Sequence, residues 1–159
     1  MITITSIARD WTEAPHTTPT TAERKAFGVW LMRQFNRMRA SGIEPLFVTR
    51  DVSIEEAMAA LSRPVLPGEL RWLPVSRLNN DPNPDLMSEQ QNLMFRAVHD
   101  WVHWQENAGA DWEGELAVTI AHILTAPKEI HWLLWSEVAG QAAVTLTTGT
   151  FPQQKLAKI

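Results

Sequence analysis

The sequence predicts an α+β domain that is mainly helical, with about four main helices and a small β-element in its N-terminal and central part. Three observations carry that expectation. Helix-capping residues repeatedly precede apolar residues spaced three and four apart, two short apolar runs of strand length stand between them, and proline and glycine punctuate the junctions. With 159 residues, 45% of them hydrophobic, residues 1–159 have the size of a single domain that buries a core without disulfide or metal staples.

Residues 1–19 read as a lead-in or edge strand: Ile2, Ile4 and Ile7 give a β-prone start, and a Pro- and Thr-rich stretch follows through Pro15 and Pro19. Thr20 then stands three residues before Glu23, the spacing of a capping box, and Phe27, Leu31, Phe35 and Met38 recur at helical intervals until Gly42. That stripe should face inward, leaving Arg33 and Arg37, with Arg24, Lys25 and Arg39, on a solvated basic side. Ile43 to Val48 suits a strand, and Ser53 with Glu56 caps a short helix through Ala57, Met58 and Leu61.

After Pro64 and Pro67, residues 70–75 make a second strand, which Pro74 assigns to a sheet edge or an early end. Asn79, Asn80, Pro82 and Pro84 mark a loop over 79–87. Residues 88–149 form a three-helix segment. Ser88 and Gln91 cap its first helix to about Glu106, Gly109 interrupts, a second helix runs from about Trp112 to Thr125, and Pro127 opens a third that Gly149 closes.

Composition excludes several classes. The chain has no cysteine, so thiolate zinc sites and redox dithiols are ruled out and any metal must take nitrogen and oxygen ligands. A net charge of −4 gives no general attraction for nucleic acid and makes such a partner unexpected without excluding it, since a local basic stripe could still provide some. The first residues lack the pattern of a signal peptide, and no stretch approaches ~18 uncharged apolar residues, so no membrane partner and a cytoplasmic location are expected. Eight tryptophans, several between Trp101 and Trp135, read as core-filling material.

The chemistry-bearing residues fall in the three-helix segment. His99 and His103, four apart, stand one above the other on a helix, as two imidazoles must to hold one metal ion. The segment resembles the zinc-peptidase signature His-Glu-x-x-His, with the shorter Asp100 in the glutamate's place, which weakens a peptidase reading. The His-Asp pair alone does not make an HD-type phosphohydrolase, and His16 in the lead-in does not supply the missing ligand. Glu115 and His122, two turns apart, share a face of the next helix while Glu113 points away; Glu137 and Gln141 pair on the last, with His131 on another face. Glu106, seven residues after His99, is a reserve carboxylate.

Taken singly, each pair has an ordinary structural explanation. Buried polar groups are costly unless they find partners, so three consecutive helices each carrying a facing polar pair point to one shared site.

At these residues the chain resembles a largely uncharacterised family encoded by bacteriophages and some bacteria. The likeness rests on Phe95-Arg96-Ala97-Val98-His99-Asp100 with His103, then Gly114-Glu115, His122, and Glu137 with Gly140-Gln141. The ending Gly149-Thr150-Phe151-Pro152-Gln153 is similar too. This resemblance implies a phage setting, with a host-cell or virion location, and brings no reaction with it.

The expectation is a metal-dependent enzyme, with hydrolysis of an unidentified small molecule as the leading reaction. His99, His103 and His122 with Glu115 or Glu137 are its candidate ligands, the remaining carboxylate is the base, Asp100 supports an imidazole, and Gln141 and Glu106 lie nearby. Such ligands suit zinc, iron or manganese alike. The alternative is a phage accessory or virion protein that binds a host protein and uses the same cluster as a buried structural network. An open site favours catalysis, a sealed one structure.

Overall fold

The computed structural model describes residues 2–159, so Met1 lies outside the described residues. In chain order the elements are α1 (Ile4–Glu13), α2 (Thr21–Ala40), β1 (Ile43–Val48), α3 (Ile54–Ser62), β2 (Arg71–Ser76), α4 (Glu89–Glu106) and α5 (Trp112–Thr125). A 3₁₀ turn at Lys128–Ile130 leads into a last helical run, α6, over residues 131–148. The domain is α+β and mainly helical as expected, although the described residues form six helices rather than four.

The extra helix is at the start, where a β-prone stretch was expected. Thr3 Oγ1 accepts the Ser6 amide at 3.1 Å while Ser6 Oγ accepts the Thr3 amide at 2.9 Å, a capping box closed by serine instead of glutamate. Ile4, Ile7, Ala8 and Trp11 then recur at helical spacing, and the last three are buried. α1 lies on α6 so closely that a Cβ at Gly140 would sit 2.2 Å from the Trp11 ring. Behind it, the lead-in runs beside the C-terminal tail. Thr17 N–H donates to Leu156 O at 2.7 Å, and Leu156 N–H donates to His16 Nδ1 at 3.1 Å.

α2 carries the full Thr20–Glu23 capping box. Phe27, Leu31 and Met38 are buried and Phe35 partly so, whereas Arg33 and Arg37 are exposed. In α3 only half of the expected box forms. Ser53 caps the Glu56 amide, but the Glu56 carboxylate turns to Arg50, where an ion pair draws it away from the Ser53 backbone.

β1 and β2 pair in parallel, Ile43 opposite Arg71 through Val48 opposite Ser76, with α3 in the crossover. Arg71 N–H bonds Gly42 O and Arg77 N–H bonds Val48 O, so the odd-numbered amides of β2 face β1. The nitrogens of Pro74 and of Pro45, which stands opposite Leu73, therefore lie on the two outer edges, where a missing N–H costs no ladder bond. One face of the pair buries Ile43, Leu73 and Val75 against the helices, and the other leaves Leu46 and Trp72 exposed.

Tryptophan serves the core as expected. Trp11, Trp30 and Trp101 are buried, Trp104, Trp112, Trp132 and Trp135 are partly so, and several indole N–H groups find oxygen acceptors, as with Trp30 on Thr125. Residues 88–149 make three successive helical segments with breaks at 107–111 and 126–130. Among the described residues no helix is long and apolar enough to cross a membrane.

Candidate metal and catalytic site

The site forms where α4, α5 and α6 meet the carboxyl ends of both strands. His99 and His103, one turn apart on α4, bring their Nε2 atoms to 3.0 Å, and Glu115 in the first turn of α5 lies 3.5 Å from His99 Nε2 and 3.4 Å from His103 Nε2. One ligating atom from each of the three lies within 4.8 Å of the others, so the group can hold a metal ion. With metal–ligand bonds of ~2.1 Å, two atoms on one ion lie at most ~4.2 Å apart, and the nitrogen pair and each nitrogen's nearest Glu115 oxygen, Oε2 for His99 and Oε1 for His103, are closer than that.

The proton positions support the same use. His103 is fully buried, and its Nδ1 stands 3.0 Å from Ala108 O. A carbonyl only accepts, so Nδ1 carries the proton, and in the neutral ring Nε2 turns its lone pair toward His99 and Glu115. This support comes from the 107–111 loop rather than from Asp100. Asn107 ends α4 in the left-handed region at φ 50°, and the returning chain passes so close to α5 that a Cβ on Gly114 would lie 1.9 Å from Gly109 O. Gly114 is thus the close approach that seats both Ala108 and Glu115.

Electrostatics couples the group. Burial opposes ionisation of Glu115, yet its contacts with His103 and His99 outweigh burial and hold the carboxyl down at about 2. For His103 burial favours the neutral ring, but Glu115 and the Ala108 carbonyl outweigh it and raise the pKa. His122 is also buried, and burial with the nearby His99 and His103 pushes it well below the ordinary range. It stacks on His99 with ring centroids 5.7 Å apart and meets Phe95 and Trp30 at 5.8 and 5.5 Å. His122 therefore joins the site as a neutral ring wedged behind His99, outside the three-residue group that can hold the ion, and its Nε2 has no hydrogen-bond partner.

His99 and Glu115 open onto a cavity of about 630 Å³, shared with Glu137 and Gln141 of α6. Glu137 belongs to a π turn, Trp135–Gly140, set within the α-helical run. Such wide turns recur at functional sites. This one is fixed from behind, because Ser136 Oγ accepts both Trp11 Nε1–H at 3.0 Å and Ala157 N–H at 2.9 Å. Glu137 Oε2 accepts from Gln141 Nε2 at 3.0 Å, and the same amide nitrogen donates to Gln154 Oε1 at 3.1 Å. Glu137 Oε1 is buried without a partner. Burial, only partly offset by the Gln141 bond, pushes this carboxyl up to about 7.

The remaining expected residues stand apart. Asp100 is half-buried beside the cluster but does not line the cavity, and neither histidine ring donates to it; burial, against the pull of His99, His103 and Arg96, raises it to about 6. Glu106 is exposed, because α4 ends at this residue and leaves its side chain in solvent. His131 bonds Ala126 O, and His16 bonds Asp85, both away from the site.

Some contributors were not expected from the sequence. Ala108 acts through its backbone and Gln154 lies in the tail, so neither carries a spacing signal. Arg96 does lie in a stretch singled out by resemblance. Its terminal nitrogens donate to the carbonyls of Ser76, Leu78 and Asn79 at 3.0, 2.8 and 2.7 Å, holding the loop after β2 against the cavity.

Comparison of the chain with protein-family models, with curated proteins and with solved structures finds no match. The functional reading therefore rests on the side chains themselves.

Proposed function

We propose that the protein is a metal-dependent hydrolase in which His99, His103 and Glu115 hold a divalent ion and Glu137 moves the proton. The observation that carries this reading is the convergence of two imidazole nitrogens and a carboxylate oxygen within 4.8 Å, at the wall of an open cavity. Zinc, iron and manganese all suit such a set, and a bound ion would lower the pKa of water and polarise a substrate carbonyl. His103, its Nδ1 proton committed to Ala108, offers Nε2 as a fixed donor, while His99 and Glu115 complete the set on the cavity side. Glu137, with a pKa of about 7, populates both forms near neutrality and can take a proton and return it.

The openness of the site favours this reading over a phage accessory or virion protein built on a sealed polar network. A structural network satisfies its members, whereas Glu137, which lines the cavity, leaves its buried Oε1 without a partner among the described residues. The phage setting implied by the resemblance belongs to this proposal as its context.

Elemental analysis of tag-free protein tests it. The parent should hold about one equivalent of zinc, iron or manganese, and His99→Ala and Glu115→Gln should lose most of it while remaining folded. A folded parent that takes up none of the three metals when each is supplied would overturn the proposal.

A further inference from the structure

The cavity's lining restricts what can react there. Four carboxylates border it, Asp51, Asp81, Glu115 and Glu137, and the one guanidinium, Arg96, spends both terminal nitrogens on three backbone carbonyls. No lysine lines it. A divalent ion added to Arg96 still leaves the carboxylates in excess while Glu137 is ionised. A phosphate ester or nucleotide would enter this cavity without the guanidinium fork or ammonium that such anions ordinarily require.

The outer wall has the opposite character. Leu78, Leu146 and Phe151 border the same cavity and are 39%, 44% and 59% exposed. They come from three separate segments: the loop held by Arg96, the last helix and the C-terminal tail. Large apolar side chains brought from distant parts of the chain to one opening are surface that a ligand can cover.

We infer that the site takes a neutral carbonyl compound, an amide or ester with an apolar body, and discriminates against phosphate esters. The apolar body lies on Leu78, Leu146 and Phe151, and the carbonyl reaches the side where His99, Glu115 and Glu137 face the cavity. The reacting end of this inference rests on the hydrolase reading above. Hydrolysis breaks the acyl bond, places the hydroxyl of water on the carbonyl carbon and its proton on the leaving nitrogen or oxygen, and needs no oxidant or second reactant. Glu137, which lines the cavity, is placed to carry that proton.

Calorimetric titration of zinc-loaded protein with acetohydroxamate, octanohydroxamate and octyl phosphate tests the inference, with zinc content measured on the same samples. The two hydroxamates share a headgroup, so their ratio reads the apolar wall and not the ion. Octanohydroxamate should bind about 30-fold or more tighter than acetohydroxamate, the equivalent of burying roughly two to three methylenes. Octyl phosphate should bind at least about 30-fold more weakly than octanohydroxamate, for want of a free cation. The double variant Leu146→Ser, Phe151→Ser should lose most of the chain-length ratio while keeping its zinc and its affinity for acetohydroxamate. A chain-length ratio near one, or octyl phosphate binding as tightly as octanohydroxamate, overturns the inference. Should the protein take up none of zinc, iron and manganese, the hydrolase reading fails by itself, and octanamide added to the metal-free chain decides the ligand class. Shifts of the Leu78, Leu146 and Phe151 NMR resonances with octanamide, and none with octyl phosphate, sustain it, and unmoved resonances overturn it.

Discussion

Replacing Glu115 by Gln removes the negative charge that two histidines share while keeping the side chain's size. The carboxylate oxygens lie 3.4 and 3.5 Å from the two Nε2 atoms, and these contacts, against the opposing effect of burial, take the carboxyl from an ordinary 4.5 to about 2. At ~1.4 kcal/mol per pH unit this depression is worth about 3 kcal/mol of native stability in the metal-free protein. An amide still accepts a hydrogen bond, so the variant should lose about 2 kcal/mol at pH 5.5. The sign follows from the direction of each shift. Because the folded pKa of Glu115 is depressed, its contribution is complete above the ordinary carboxylate value and is lost as pH falls toward about 2. His103 is raised despite burial, so its side of the same contact is complete below ~6.5 and is lost as pH rises through the elevated value. These are two ends of one interaction and do not add. Urea denaturation in EDTA at pH 3, 5.5 and 8.5 should show the widest gap between parent and variant at pH 5.5. Zinc at pH 7.5 should then widen the gap again, because only the parent binds it in the folded state. A gap below ~0.5 kcal/mol at pH 5.5, or one unchanged from pH 3 to 8.5, would refute the coupling argued from these distances.

Gly114→Ala places a methyl 1.9 Å from Gly109 O, a backbone atom that cannot rotate away. Urea denaturation should show a loss of about 2–4 kcal/mol, and competitive titration a zinc affinity at least ~10-fold weaker, since the Ala108 carbonyl must move with the loop. Gly140→Ala meets the Trp11 ring at 2.2 Å, so α1 should undock, with about 2–3 kcal/mol lost and Trp11 more accessible to a fluorescence quencher. The Glu137 carboxyl, raised by burial to about 7, should titrate near that value by carbon-13 NMR. Here the folded pKa is raised, so ionisation disfavours the fold increasingly as pH climbs from about 4.5 to about 7. Glu137→Gln, neutral throughout, should gain about 2–3 kcal/mol on the parent at pH 8 and almost nothing at pH 4.

Helix existence in residues 20–149 was legible because capping residues and apolar spacing agreed, as at Thr20 and Ser88, where both boxes form. The first helix was misread for a local reason. Three isoleucines at positions 2, 4 and 7 suggested β-structure, while the decisive helical set, Ile4, Ile7, Ala8 and Trp11, includes a small alanine that weighs little in an apolar pattern. Helical spacing set His99 beside His103 and Glu115 beside His122, and the group that can hold an ion takes the first pair with Glu115 and leaves His122 out. What spacing cannot supply is the third dimension: the Ala108 carbonyl arrives through a left-handed cap at Asn107, and Glu137 is aimed by a π turn held by Trp11, 125 residues away from Ser136. The same geometry explains Glu106, correct in periodicity but beyond the reach of the bundle because its helix ends.

The prolines of the small sheet bear on how the protein behaves in company. Two parallel strands with Leu46 and Trp72 exposed at 49% and 48% would ordinarily be a template for self-association, since each edge offers unpaired backbone groups beside apolar side chains. Pro45 and Pro74 interrupt both edges midway, one on each. A strand from a second molecule approaching from either side meets an absent donor and a rigid ring where it would need a hydrogen bond. The two prolines therefore oppose edge-to-edge pairing beside the apolar outer face, and substitution of both by threonine removes that protection.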